Sequence, residues 1–400
     1  MPVHAPARPT MADVASAAGV GTGTVSRVLN GGLNVRESTR RRVLEVIERL
    51  GYRPSHLAAA LSRGTPRTVA ILVPHLTRPS TVARLAGALG VLDEQGYDTI
   101  VCNVDSPEQR DHHLSALTAR HRADGVIIVS IRLAKDRIAA FRRGSIPIVS
   151  VDAVVPGVPQ TVIDDVAGGR LATAHLLSLG HRRIGFVGDL VGRGTDQDLG
   201  FISSRSRLQG YRRELAVAGI DFDPGLVRVG PHDAAVAADL AGQLMRLPDP
   251  PTAIFAASDT QAMGVLSAAE QSGFPVPGSL SVVGFDDIES TALLNLSTVH
   301  QPLEQSGAEG ARRLCALLLG ARIRPLRQLL PLRLVQRGSS ARPSLARPGG
   351  SRSQLLPAGA GRRALDRGRS SPRAWRRAAD VLFCLPSFPT PGACRAEGVV

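Results

Sequence analysis

From Arg67 onward the chain alternates short apolar runs with stretches of helical period. The strand-like runs are Val69–Val73, Thr99–Cys102, Gly125–Val129, Ile146–Val151, Ile184–Val187, Ala253–Ala257 and Ser281–Phe285. Between them, Thr81–Gln95, Gly168–Leu179, Ser206–Ala218, Ala234–Met245 and Thr260–Ser272 predict helices. Repeated β–α units argue for mostly parallel sheets with helices on both faces. About 270 such residues exceed one small sheet, so the pattern predicts two doubly wound α/β lobes.

Residues 10–50 follow another pattern, that of three short helices. Thr10 can cap the first by accepting a bond from the backbone N–H near Asp13. Val14, Ala15 and Ala18 make a small apolar face, and Gly19 sits where this helix must stop. Val20, Val25 and Val28 or Leu29 pack the second helix. A third runs from about Arg36 to Leu50, with Val43, Ile47 and Leu50 on one face. Two short helices joined by a Gly-containing turn fit a helix-turn-helix. In that motif the second helix enters the major groove and reads base edges from its N-terminal part. Here that part exposes Thr22, Gly23, Ser26 and Arg27. Arg27 can donate two bonds to guanine O6 and N7, and Thr22 can meet a base edge or a thymine methyl. Thr24, Ser26 and Asn30 can hold phosphates and set register. Arg40, Arg41 and Arg42 read as a solvated face.

Residues 54–64 form an Ala/Leu stretch in which Pro54 and Ser55 suit a helix start and Gly64 a stop. A helix this short is marginal alone, so it can be one that folds only on DNA.

Charge changes the picture by its location. The net charge of the 400 residues is +14. Residues 1–64 carry nine Arg against four acidic residues, and residues 344–400 carry ten against three. The long middle is therefore nearly neutral, and a basic N-terminal module on such a body suggests a nucleic-acid contact confined to that end, while the basic C-terminus needs a separate explanation. Lys135 is the only Lys, so Arg at any one position is weak evidence for bidentate recognition. Cys102, Cys315, Cys384 and Cys394 lack metal-site spacing, and no metal or other cofactor is expected. There is no charged-then-apolar leader and no run of about 18 apolar residues, which points to a cytoplasmic protein without membrane contact. Residues 343–400 are rich in Arg, Ser, Gly and Pro without a sustained period. Three readings of them stay open: a disordered tail, a nucleic-acid-binding tail, or the product of a shifted reading frame.

The string from Thr10 to Asn30, with Asp13-Val14-Ala15, Ala18-Gly19-Val20 and Thr24-Val25-Ser26-Arg27-Val28-Leu29-Asn30, resembles the LacI/GalR family of bacterial regulators. Gly21 replaces a usual Ser, and Gly23 stands at a variable base-reading position with no side chain to read with. The resemblance extends to about Ser340 through Leu179-Gly180-His181-Arg182-Arg183-Ile184-Gly185-Phe186, Ser258-Asp259-Thr260-Gln261-Ala262-Met263-Gly264 and Ser281-Val282-Val283-Gly284-Phe285-Asp286-Asp287. It implies an all-α helix-turn-helix domain (10–53), a hinge helix (54–64) and a core (65–342), after a disordered lead (1–9). The core would be similar to periplasmic sugar-binding proteins, with two lobes, mostly parallel sheets and a ligand in the cleft. The chain would cross between lobes near 152–164, 287–297 and 320–325. By resemblance Leu61 would wedge into the minor groove, a device of DNA-kinking proteins. The DNA-contacting set is then Thr10, Thr22, Thr24, Ser26, Arg27, Asn30, Ser55 and Leu61.

Ligands of open α/β sheets sit beyond the carboxyl ends of strands, where Asp152, Asp164, Asp165, Ser258, Asp259 and Asp286 fall. Carboxylates accept paired bonds from sugar hydroxyls. The resemblance makes Arg207 and Asp286 the clamping pair of the effector site, with Asp165, Ser258 and His232 beside them, and leaves Asp259 and Asp287 as structural groups. Many members carry Asn-Pro-Phe-Phe after the first strand; Arg78-Pro79-Ser80-Thr81 here removes that apolar wall and favours a more polar or a larger effector. The expected function is that of a repressor, a homodimer on a near-palindromic operator, controlled by a small effector that the resemblance implies to be a sugar. The alternatives are a solute-binding protein without a regulatory role and a regulator impaired by its tail. The sequence has no phosphate loop, metal cluster or nucleophile elbow, so an enzyme is not expected.

Overall fold

The computed structural model describes residues 9–29, 35–52, 67–120, 122–189, 199 and 202–343. Asn30, Ser55 and Leu61, the 54–64 stretch and residues 344–400 lie outside the described residues.

Three helices open the chain: α1 (Met11–Ala18), α2 (Thr22–Leu29) and α3 (Glu37–Leu50). Thr10 closes a reciprocal cap on α1. The Asp13 N–H donates to Thr10 Oγ1 at 3.3 Å, and the Thr10 N–H donates to Asp13 Oδ2 at 2.7 Å. Gly19 ends α1 at φ +63°, a left-handed conformation that costs glycine little. Val14, Ala15, Ala18, Val25, Val28, Val43 and Val46 are buried together. On α3 the buried positions are Val43 and Val46; the expected Ile47 and Leu50 are only half-buried at the edge of this small core.

Two six-stranded sheets follow. The first runs in the order β11-β5-β4-β3-β1-β2, built from β1 (Thr68–Pro74), β2 (Asp98–Val104), β3 (Gly125–Val129), β4 (Ile148–Val151), β5 (Gln160–Val162) and β11 (Arg327–Leu329). All its pairings are parallel. Its helices are α4 (Pro79–Glu94), α5 (Pro107–Arg120), α6 (Lys135–Arg143) and α12 (Leu303–Leu318). The second sheet runs β12-β10-β9-β8-β6-β7, from β6 (Ile184–Asp189), β7 (Val227–Gly230), β8 (Ala253–Ala256), β9 (Ser281–Asp286), β10 (Ser297–His300) and β12 (Arg333–Val335). Only β12 lies antiparallel in it. Its helices are α7 (Asp165–Ser178), α8 (Ser203–Val217), α9 (Ala234–Met245), α10 (Asp259–Gln271) and the short α11 (Ser290–Leu293).

Side chains alternate between faces along each strand, so each sheet carries two cores. In the amino-terminal lobe Ala70, Leu72, Val126 and Ile128 join one core, and Val69, Ile71, Ile127 and Val129 the other. Pro147 has no N–H for the ladder, and β4 accordingly starts one residue later, short of the expected Ile146. Pro79 in the first turn of α4 moves that helix start ahead of Thr81.

The lobes are joined at other points than two of the three expected. The first crossing falls at Ile163 and Asp164, within 152–164. The second lies at 301–302, not 287–297, because β10 pairs with β9 inside the second sheet. The third lies at 330–332, not 320–325, because β11 pairs with β5 in the first sheet. Both shifts come from strands of three or four residues, too short to leave a period in the sequence.

Helices α4 and α12 pack closely on one another. A Cβ built on Gly307 would overlap the carbonyl oxygen of Arg84, and one on Gly87 that of Glu304. Gly307→Ala should therefore destabilise the protein by about 1–3 kcal/mol, as overpacked interiors do. Urea unfolding checks this; an unchanged midpoint would show that the helix pair has slack.

Candidate functional site

The cleft between the lobes lies beyond the carboxyl ends of both sheets, as open parallel sheets require. Ser130 follows β3, Asp152 follows β4, Asp189 ends β6, Ser258 follows β8 and Asp286 ends β9. Asp286 sits at φ +121° and Asp152 at φ +62°. Non-glycine residues rarely adopt such angles, and strain of roughly 1–3 kcal/mol is held mostly at functional sites. The main cavity of this cleft spans about 640 Å³ of space that opens to solvent. A smaller one of about 420 Å³ adjoins it behind Ser130, Asp152 and Ser203.

Two buried guanidiniums organise this cleft. Arg207, on α8, donates from Nε to Asp165 at 2.9 Å and from Nη1 to the Ala257 carbonyl at 2.6 Å. Its Nη1 also lies 3.6 Å from Asp286, and its plane covers the Phe285 ring at 3.6 Å. Gly169 and Gly210 let α7 and α8 approach closely enough for this, since a Cβ on Gly169 would overlap the Arg207 backbone. Arg84, on α4, stands 3.0 Å from Asp152, which also accepts from Ser130 Oγ at 2.7 Å. Gln301, on the second crossing, links the two systems. It accepts from Arg84 Nη2 at 2.9 Å and donates to Asp286. Across the carboxy-terminal lobe, His232 Nδ1 lies 2.9 Å from Asp189, which accepts from Gln261 at 2.9 Å.

Burial pushes the carboxyls of Asp165 and Asp286 above the ordinary range, against the pull of Arg207. Burial would push Arg207 down, but Asp165 and Asp286 outweigh it and hold the guanidinium above its usual value. Asp259 is pushed up to about 8 by burial and by the Asp286 charge. Its oxygens accept from Thr298 Oγ1 at 2.6 Å and the Ile288 N–H at 3.0 Å. Burial also acts to raise Asp287, but Arg337 at 2.7 Å and His300 at 2.9 Å bring its carboxyl below the usual range. Neither Asp259 nor Asp287 lines the main cavity.

The structure brings Arg207, Asp286, Ser258 and His232 together around the main cavity, and Asp165 into the adjoining one. Ser258 is also committed locally, because its hydroxyl accepts from the Gln261 N–H and caps α10. Arg84, Gln301 and Asp189 were not among the residues expected from the sequence. Asp189 obeys the same strand-end rule that selected Asp286. Arg84 sits inside a helix and Gln301 in a crossing whose position was misplaced, so neither carries a local signal.

At the N-terminal domain, Thr22, Gly23 and Arg27 are exposed on α2, Thr24 and Ser26 are half-buried, and Val25 and Val28 face the core. Thr10 Oγ1 donates to Asp13 at 2.7 Å, so its hydroxyl is engaged in the cap. Arg27 falls in the last turn of α2, one turn beyond Gly23.

Arg207→Met should leave Asp165 and Asp286 buried without their cation, at a cost of about 3–5 kcal/mol. The sign follows from linkage. A carboxyl raised in the folded state binds protons that the unfolded chain has released, so stability falls as pH rises above the unfolded value near 3.8. The loss should thus be smallest in acid and grow toward neutrality. Chemical unfolding from pH 4 to pH 8 checks it; a pH-independent loss would mean that packing on Phe285, not charge, is what Arg207 supplies.

Residues 10–55 match the family model described as bacterial regulatory proteins, lacI family, and residues 173–340 match a periplasmic binding protein-like domain. The chain is 32% identical over 304 residues to the HTH-type transcriptional repressor PurR of Aliivibrio salmonicida, covering 74% of this chain and 89% of that protein. It is 34% identical over 346 residues to the HTH-type transcriptional regulator CelR of Thermobifida fusca, covering 83% and 98%. Among solved structures, the lac repressor dimer bound to operator and the anti-inducer ONPF is similar with a TM-score of 0.72 and 28% identity, over 84% of this chain and 100% of that one. A CelR–cellobiose complex is similar with a TM-score of 0.59 and 32% identity, over 83% and 100%. No helix among the described residues is long and apolar enough to cross a membrane. With its helix-turn-helix and its two-lobed α/β core, the chain belongs to the lacI family of bacterial regulatory proteins.

Proposed function

We propose that this protein is a cytoplasmic, sequence-specific DNA-binding repressor whose operator affinity is set by a small sugar in the interlobe cleft. It acts as a homodimer, because two recognition helices read a near-palindrome. It performs no covalent chemistry on its ligand. The observation that carries this reading is the union, in one chain, of a second helix with an exposed polar face and a cleft whose charged groups come from both lobes. The cellobiose of the CelR complex supports a sugar ligand for the cleft.

Thr22 and Arg27 read bases, while Thr24, Ser26 and Asn30 hold the backbone. Thr10 supports them by fixing the start of α1. Ser55 and Leu61 act in the segment that follows. Arg207, Asp286, Asp165, Ser258 and His232 hold the effector. The domain limits remain 10–53, 54–64 and 65–342, with 343–400 outside the regulatory machinery. Control is by population shift: the effector binds two lobe arrangements unequally, and only one of them lets the dimer engage the operator.

Fluorescence-anisotropy titration of DNA from around the protein's own gene, at fixed salt and with a panel of sugars and nucleobases, tests the reading. Selective binding altered by one sugar is expected; weak binding indifferent to sequence would contradict it. Arg27→Ala should lose about 1–3 kcal/mol of discrimination at one base pair. An equal loss on every sequence would assign Arg27 to a phosphate instead.

A further inference from the structure

Arg84 is only 4% exposed and lines the main cavity. Its Nε finds no acceptor. A buried ion pair with an orphaned donor is a poor stabilising device, since apolar residues of similar volume do as well or better. Its retention at the cleft therefore points to the ligand.

The remaining charges show what it does. Arg78, Arg84 and Arg207 line the main cavity, and so do Asp152, Asp189 and Asp286. The adjoining cavity adds one further charge of each sign, Arg132 and Asp165. Among the described residues of the two linings, guanidiniums and carboxylates thus balance. Four of the six groups around the main cavity are tied into the Arg84–Asp152 and Arg207–Asp286 pairs, bridged by Gln301. A ligand bringing a net charge would meet no surplus of guanidiniums or carboxylates among these described residues, and would lose its hydration as it entered. Among the described residues of both linings there is no Phe, Tyr or Trp to stack on a flat ring. What the cleft does offer is carboxylate oxygens with spare acceptor capacity and the hydroxyls of Ser130, Ser203 and Ser204, suited to a ligand whose edges carry hydroxyl groups.

We infer that Arg84 is a specificity-determining residue: by neutralising Asp152 it keeps the cleft electrically balanced, so the site takes an uncharged polyol and refuses amino and phosphorylated counterparts. This rests on the cleft being the effector site and adds the charge class of the effector and the residue that sets it.

The test uses the full chain and matched probes: glucose, glucosamine and glucose 6-phosphate, the corresponding galactose set, and cellobiose, each titrated calorimetrically. The unaltered protein should bind an uncharged member at least about tenfold more tightly than its charged counterparts, the scale of one unit charge in a partly buried site. Arg84→Met uncovers Asp152 and should move the preference toward the amino sugar. Asp152→Asn uncovers Arg84 and should move it toward the phosphate ester. Opposite shifts from two partners of one pair are not what a merely structural role produces, and either variant suffices if the other fails to fold. A preference of the unaltered protein for a charged member, or an unchanged ranking in a folded variant, would overturn the inference while leaving the effector reading intact. Failure of every probe to bind, with or without DNA, would defeat the effector reading and this inference with it.

Discussion

Two guanidiniums, one from each lobe, are buried at the floor of the cleft, and neither can stay there without carboxylates. A charge taken from water into a protein interior costs several kcal/mol unless it is paired and hydrogen-bonded. That constraint ties Asp152 to Arg84, and Asp165 and Asp286 to Arg207. It also explains why Asp286 is held at a strained backbone angle: its position is over-determined by Arg207 on one side and Gln301 on the other. The close helix pairs α4–α12 and α7–α8, which depend on glycines at their crossings, bring these charged side chains into range.

The same chain of contacts gives the cleft a way to report occupancy. It runs from Asp152 through Arg84, Gln301 and Asp286 to Arg207 and Asp165, and so passes from one lobe to the other along the second crossing. A ligand that bonds to Asp286 or Asp152 competes for oxygens that this network uses. It therefore has unequal affinity for lobe arrangements in which the network is made or broken, and an unequal affinity is the one requirement for a population shift. Buried networks of this kind resist gradual deformation, which favours discrete arrangements over a continuum.

Much of this was legible in the sequence. The long apolar runs in β1, β3, β6, β8 and β9 and the capping signal at Thr10 located their elements to within a few residues. They succeeded because a strand buried on both faces must be apolar throughout, and because a helix start needs an acceptor for its first N–H groups. Strands β10, β11 and β12 have three or four residues each and take their place from neighbours, so the second and third crossings were misplaced with them. At the site, strand ends announce themselves, and Asp286 and Ser258 followed from that rule. Arg84 does not: an arginine inside an amphipathic helix looks solvated until its neighbours are known. Its burial is a property of the α4–α12 packing, which no local window contains.

The central claim is that cleft and operator share one equilibrium. Its most direct test is reciprocity, measured with the sugar found to bind. Titrate it calorimetrically into the protein alone and into the protein–operator complex, then measure operator affinity with and without saturating sugar at the same salt. Linkage requires both ratios to equal one factor, expected at about 5–150-fold. A sugar that binds in the cleft yet leaves operator affinity unchanged would contradict the account.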